Sequence, residues 1–255
     1  MSGASFKDYF SDAADGYASF RPRYPDALFD FIAQLPARRG TVWDCATGSG
    51  QAVVSLASRF ERVIATDASA EQITRATPHP RVAYAVALAD ASGLDAASVD
   101  MVTVAQALHW FPLERFFDEV RRVLVPDGVL AVWCYTKPEL TGEPGAIVDQ
   151  FYYGDCGPYW SPERDLVARG YSTIAMPFDD VPAPPLSIDA PLTLTQFAGY
   201  LRTWSAAREL ARAVGHDPVD AVERALRDVW GGEGARQLVR WPVHVRAGHV
   251  RGEQR

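Results

Sequence analysis

Two carboxylates flanking a turn of small residues are the groups in this chain whose types and spacing could do chemistry. The first stands in Val42-Trp43-Asp44-Cys45-Ala46-Thr47-Gly48-Ser49-Gly50-Gln51, where a short apolar run meets a glycine-rich turn and then a helical pattern. Small residues there let the backbone come close to a ligand. In open α/β sheets such ligands sit at the carboxyl ends of strands, where the strand order reverses. The second carboxylate ends the next apolar run, Val63-Ile64-Ala65-Thr66-Asp67. An acid at that strand tip can accept hydrogen bonds from both hydroxyls of a ribose. Two plainer readings stand beside these. The turn could join strand to helix with no ligand, and Asp67 could cap the following helix, although Ser69 is placed to do that instead.

The turn separates two nucleoside ligands. A dinucleotide site has the spacing G-x-G-x-x-G, with a pyrophosphate on the helix N-terminus. Here the order is Asp44, Ala46, Gly48, Gly50, followed by Ala52 and Val53, with no third glycine in its place. An aspartate ahead of the turn suits a ligand with a cationic amino group and no pyrophosphate. Both features favour S-adenosylmethionine over NAD.

These groups need a scaffold, and the hydrophobic pattern supplies one. Short apolar runs at 41–45, 63–66, 82–86, 99–105 and 128–133 alternate with helical patterns at 51–59, 70–76 and 113–124. In the last helix, residues 113, 116, 117, 120 and 124 fall on one face. Short apolar strands alternating with helices predict a parallel sheet covered on both faces. Upstream, a helix is expected within residues 5–20. Arg21-Pro22-Arg23-Tyr24-Pro25 breaks it, and another follows over 26–35. After Tyr135 the alternation stops. Residues 136–162 are rich in Pro, Gly and aromatics, and helical patterns occupy 193–230. A final run at 237–245 puts Val239, Trp241, Val243 and Val245 on one face and Arg240, His244 and Arg246 on the other. Pro242 within it predicts a bulge or an unpaired side.

With these residues in hand, the chain resembles the class I S-adenosylmethionine-dependent methyltransferases. It is most similar to the methyltransferase type 11 group that includes trans-aconitate methyltransferase-like proteins. The resemblance runs from about residue 10 to 133, and more loosely over 204–241. It implies a Rossmann-like α/β fold, a seven-stranded, mostly parallel sheet with an antiparallel last strand and helices on both faces. It also implies a single domain over 1–255: a core of about 25–135, returning strands near 172–178 and 237–246, and a substrate-cap insertion within about 136–230.

The implied cofactor contacts are Asp44, Ala46, Thr47, Gly48, Gly50 and Gln51 toward the methionine part, with Ala46 standing where the family has its first glycine. Asp67 and Ala68 match the ribose position, and Asp90 and Ala91 the segment that reads adenine. Gln106, in Gln106-Ala107-Leu108-His109-Trp110-Phe111, is placed beside the methionine moiety. Tyr17, Arg21 and Tyr24 match an N-terminal pattern that closes over the cofactor in relatives.

Methyl transfer from a sulfonium needs alignment and exclusion of water. A base is needed only when the acceptor is protonated at neutral pH. His109 is the candidate base, with orientation of Trp110 as its plainer role. Trp110, Tyr135, Trp160, Arg164 and Trp204 are candidates for the acceptor pocket, where arginine could hold an anionic group. No Asn-Pro-Pro-Tyr or Asp-Pro-Pro-Tyr follows the fourth strand, which disfavours base-amino methylation. The expected reaction is methyl transfer to the oxygen, carboxylate or hydroxyl, of a small molecule. The alternatives are a non-catalytic nucleoside-binding protein of the same fold and an NAD(P)-dependent oxidoreductase.

Composition agrees with this. Net charge is -7 in 255 residues, which disfavours a phosphate backbone as partner. Three cysteines without C-x-x-C spacing suggest neither a disulfide framework nor a zinc site, and no metal is expected. Cys45 and Cys134 sit in apolar runs and read as core. No run nears the length of a membrane span, so a cytoplasmic protein without a membrane partner is expected.

Overall fold

The computed structural model describes residues 23–250, except residue 233. The apolar runs at the centre of the sheet become covered strands. β1 (Thr41–Cys45) and β4 (Val99–Ala105) are buried almost throughout, as parallel strands with helices on both faces must be. β2 (Arg62–Asp67) and β3 (Val82–Val86) lie outside β1, and β3, at the sheet edge, is half exposed. β5 is Leu124–Tyr135. With β6 (Leu186–Thr193) and β7 (Arg236–His249) the sheet has seven strands in the order β3-β2-β1-β4-β5-β7-β6. β1 pairs in parallel with both β2 and β4, so the order reverses between β1 and β4. β5 pairs in parallel with β4 and antiparallel with residues 243–249 of β7.

Helix α1 (Asp26–Ile32) precedes β1, and α2 (Val53–Ala57), α3 (Ala70–Thr74) and α4 (Leu113–Val123) connect the strands that follow. α4 buries Phe116, Phe117, Val120 and Val123 on the apolar stripe. Glu114 in its first turn and Arg121 and Arg122 in its last complement the helix dipole.

The chain divides into two compact units. One comprises Tyr24–Thr136, Leu166–Leu186 and the chain from Val243; the other comprises Lys137–Asp165 and Ser187–Pro242. The second holds α5 (Glu143–Asp149), a π-helical turn (Gln150–Asp155), α7 (Leu194–Arg202), α8 (Ser205–Val214) and α9 (Val219–Arg227). α6 (Arg164–Ala168) runs across the chain boundary of the two. A Thr193–Gln196 capping box starts α7. Helices α7, α8 and α9 fill the 193–230 stretch, as its patterns indicate.

One expected strand is absent. Residues 172–177 form turns, bends and irregular chain, Phe178 makes an isolated antiparallel bridge to Val250, and the sixth strand is instead Leu186–Thr193. The alternation of Ile174, Met176 and Phe178 resembles a strand, but local bonds take the backbone. Ser172 N–H donates to Arg169 O and Ile174 N–H to Tyr171 O. Arg246 Nη1 claims the carbonyls of Tyr171 and Ile174, at 2.9 and 2.6 Å. Prolines before and within β6 hide it in the sequence, yet it is the outermost strand, where proline is tolerated. It is fastened by Asp189, which receives Arg240 Nε and Nη2 of β7 at 3.0 and 2.7 Å.

β7 follows its predicted alternation as far as His244, with Val239, Trp241 and Val243 buried and Arg240 and His244 exposed, but Val245 and Arg246 are both half-buried because Arg246 turns back onto Tyr171, Ile174 and Asp180. Pro242 falls one residue beyond the β5 ladder, which ends at Tyr135–Val243, so its missing N–H removes no bond there. Cys45, Cys134 and Cys156 are buried and form no disulfide among the described residues. Among the described residues no helix is long and apolar enough to cross a membrane.

Candidate functional site

The site is built where the strand order reverses, at the carboxyl ends of β1, β2 and β4. Asp44, on β1, is 1% exposed. Its Oδ2 accepts the Thr47 hydroxyl at 2.6 Å and its Oδ1 the Thr103 hydroxyl of β4 at 2.7 Å. Burial raises its pKa to about 6, against the pull of the two hydroxyls and with a small push from Asp67. A buried carboxylate poised in this way is primed for a cationic partner.

The turn after β1 is left-handed at Ala46, Gly48 and Gly50, with φ of 56°, 58° and 90°. That conformation explains why a glycine is the usual residue at position 46; alanine adopts it here at a steric cost of about 1 kcal/mol. Gly50 is packed against β3, since a Cβ there would stand 3.0 Å from the Tyr84 hydroxyl. Thr47 N–H donates to Thr66 O at 2.9 Å, tying the turn to β2. Gln51 is exposed at its far end.

Asp67, at the tip of β2, accepts Gly48 N–H on Oδ2 at 2.8 Å and Ser69 N–H on Oδ1 at 2.9 Å. Ser69, not Asp67, caps α3, accepting Gln72 N–H at 3.3 Å. Asp67 is thereby locked to the glycine turn rather than spent on the helix. Ala68 beside it is half-buried.

The adenine-matching segment is clamped to α4. Asp90 pairs with Arg115. Ser92 donates its N–H and hydroxyl to Glu119 Oε1 at 2.9 and 2.5 Å. Arg122 reaches Glu119 with Nε and Nη2 at 2.7 and 2.8 Å. The Arg122 hydrogen bonds, with help from Ser92, hold the Glu119 carboxyl down to about 2 despite burial. Ala91 lies exposed on this loop.

After β4 the chain turns through Gln106, also left-handed at φ 55°. Its N–H donates to Trp133 O, and its Nε2 to Tyr135 O at 3.2 Å. Gln106 Oε1 is buried and accepts no hydrogen bond from the described residues. A buried acceptor of that kind is costly unless a donor arrives. His109 and Trp110 follow in a short 3₁₀ turn, Leu108–Trp110. The His109 ring lies 4.6 Å from that of Trp110, and its Nδ1 is 2.9 Å from the Tyr171 hydroxyl. Tyr135 is buried near Tyr24, ring centroids 6.2 Å apart.

The structure brings Asp44, Ala46, Thr47, Gly48, Gly50, Asp67 and Gln106 onto neighbouring strand ends within one unit. Tyr17 and Arg21 lie outside the described residues. Trp160, Arg164 and Trp204 meet in the other unit, in an aromatic cluster with Tyr152. Trp160 Nε1 donates to Tyr152 O, Arg164 stands 5.1 Å over the Trp160 ring, and Trp204 is buried 5.7 Å from Trp160. Sequence reasoning missed Thr103, Glu119 and Tyr171. A threonine near the carboxyl end of the mostly apolar β4 and a glutamate beside the α4 stripe were the available signals for the first two; Tyr171 had none.

Comparison with known proteins identifies a family for the chain. A methyltransferase domain family matches residues 43–132. The chain is 32% identical to a Dictyostelium discoideum protein named as a methyltransferase, over 94% of each chain. It is 28% identical to a protein of Saccharomyces cerevisiae named as an S-adenosylmethionine-dependent methyltransferase, over 77% of this chain and 80% of the other. Among solved structures it resembles one titled as a type II methyltransferase from Anaeromyxobacter dehalogenans. The identity is 45% and the TM-score 0.85, over 90% of this chain and 97% of that one.

Proposed function

Because the chain belongs to the class I S-adenosylmethionine-dependent methyltransferases, we propose that it methylates an oxygen of a small molecule, with His109 taking the proton when that oxygen is a hydroxyl. The oxidoreductase alternative falls with the family assignment.

The residues present fit the cofactor. S-adenosylmethionine carries an ammonium, a ribose diol and an adenine, and supplies a methyl group on a sulfonium leaving group. The buried Asp44 carboxylate and the buried acceptor Gln106 Oε1 match the ammonium in charge and in hydrogen-bond sense. Asp67, with Ala68 next to it, is proposed for the diol, and Asp90 and Ala91 for the adenine. Thr47, Gly48, Gly50 and Gln51 line the turn, and Ala46 keeps the backbone shape that lets the chain pass close by.

The observation that carries the acceptor reading is His109 itself. It stands on the turn directly after the β4 end, with Nδ1 engaged by Tyr171. An imidazole has the proton affinity to take a hydroxyl proton near neutral pH. Trp110 and Tyr135 are proposed to flank the acceptor. A carboxylate acceptor would need no base, and His109 would then only orient. The test is calorimetric titration with S-adenosylhomocysteine, followed by turnover with phenols, aliphatic alcohols, carboxylates, thiols and amines, scored by methylated product. Oxygen methylation, with hydroxyl but not carboxylate acceptors losing rate in His109→Gln, is expected. Methylation confined to amines or thiols would refute the proposal.

A further inference from the structure

We infer that Tyr171 is the positioning residue for His109: its hydroxyl accepts the Nδ1 proton and so presents Nε2, with its lone pair, for proton transfer. This rests on the proposed role of His109 toward hydroxyl acceptors.

The contact joins residues 62 apart in sequence, with 2.9 Å between Nδ1 and the phenol oxygen. Tyr171 is fully buried in the core cluster that also holds Cys134, Val167 and Ile174. Its ring could be replaced there by phenylalanine without loss of apolar contact, so packing does not account for the hydroxyl. The phenol is fixed by an expensive backbone. Gly170 and Tyr171 both have φ of 59°, and an aromatic residue in that region is strained. They end α6 in a Schellman arrangement: Tyr171 N–H donates to Leu166 O at 2.8 Å and Gly170 N–H to Val167 O at 2.9 Å. Gly170 must be glycine, since a Cβ would lie 2.6 Å from the His244 ring. Arg246, itself held by Asp180, grips the carbonyl of Tyr171 at 2.9 Å. Cap, close approach and arginine together immobilise one hydroxyl opposite one ring nitrogen.

The chemistry follows from the imidazole. Which nitrogen bears the proton is set by the hydrogen bond that the other makes. With Nδ1–H donating to Tyr171, neutral His109 has its lone pair at Nε2. When an acceptor hydroxyl is methylated, its O–H bond breaks and the proton forms an N–H bond at Nε2. The Nδ1–H bond to Tyr171 persists in the imidazolium, so no group has to reorient. The proton passes to solvent after the product leaves.

The test uses the full-length protein labelled with ¹⁵N-histidine, read by ¹H–¹⁵N correlation of the imidazoles at pH about 8.5, where an ordinary histidine is neutral. The His109 signals are those lost in His109→Gln. The wild type should show His109 in a single tautomer protonated at Nδ1. Tyr171→Phe should show a mixture of both tautomers, with S-adenosylhomocysteine affinity unchanged within about twofold. A wild-type His109 protonated at Nε2 or averaged between tautomers overturns the inference, and that measurement stands even if the variant fails to fold. An unchanged spectrum in a folded Tyr171→Phe also overturns it. Failure of the acceptor reading appears elsewhere, as loss of the hydroxyl-selective effect of His109→Gln, and leaves the tautomer measurement intact.

Discussion

Replacing Asp44 by asparagine should make the cofactor-free protein more stable at neutral pH while weakening its hold on the cofactor. The carboxyl is 1% exposed, and burial lifts it from 3.8 to about 6. In the folded chain it therefore keeps its proton over a pH range in which the unfolded chain has lost it. Native stability falls as pH rises through that window, and above about 6 the whole cost is present. At 1.36 kcal/mol per pH unit, the distance from 3.8 to about 6 amounts to about 3 kcal/mol. Asparagine avoids that charge, but it disturbs the hydroxyl bonds from Thr47 and Thr103, a loss of about 1 kcal/mol. The net gain at pH 7.5 is about 2 kcal/mol, shrinking toward nothing or a small loss near pH 4. If Asp44 meets the ammonium, the same substitution removes a charge-assisted bond and weakens S-adenosylhomocysteine binding by about 1.5–3 kcal/mol. Urea unfolding followed by tryptophan fluorescence at pH 4.5, 6 and 7.5, with and without S-adenosylhomocysteine, reads both effects. A difference between variant and parent that stays constant across pH would refute the buried-charge reasoning. Increased stability with unchanged affinity would refute only the ammonium assignment.

Asp67→Ala should cost about 1–3 kcal/mol of S-adenosylhomocysteine binding, and unchanged affinity in calorimetry would dismiss the ribose assignment. Ala46→Gly relieves a left-handed alanine; denaturation midpoints should rise by up to about 1 kcal/mol equivalent, and a fall would mean that the methyl group packs usefully. Glu119 is held down to about 2, so its contribution is complete above pH 4.5 and is lost as pH falls toward 2. Glu119→Gln should lower stability at pH 7 by about 1–3 kcal/mol and flatten the acid limb of a stability profile. Cys45 and Cys156 are buried, and burial pushes both thiols up, Cys156 to about 12. Neither should react with a thiol reagent at pH 8 on the timescale of an unfolded control; stoichiometric rapid labelling would contradict their placement.

The sequence by itself determined the strands and helices of the nucleoside half, because the signals are local. A β-period or helix-period of apolar residues reports burial directly, and β3 and β4 begin and end where the apolar runs do. The turn from Asp44 to Gly50 was legible for the same reason: small residues between strand and helix mark a backbone that must bend sharply. Family resemblance carried the cofactor.

Tertiary structure decided what local pattern cannot hold. The alternation over 172–178 is strand-like, but whether a segment joins a sheet depends on a neighbour with open backbone groups; Arg246 takes the carbonyls of Tyr171 and Ile174, and Phe178 makes no more than an isolated bridge to Val250. The pairings at the proposed site, Asp44 with Thr103, Ser92 with Glu119 and His109 with Tyr171, span 59, 27 and 62 residues. No window along the chain contains both partners. They meet only because β1 lies beside β4, α4 packs under the adenine loop, and the end of α6 turns a tyrosine inward. A sequence names the groups able to exchange a proton or bear a charge; the order of strands in the sheet chooses which of them face each other.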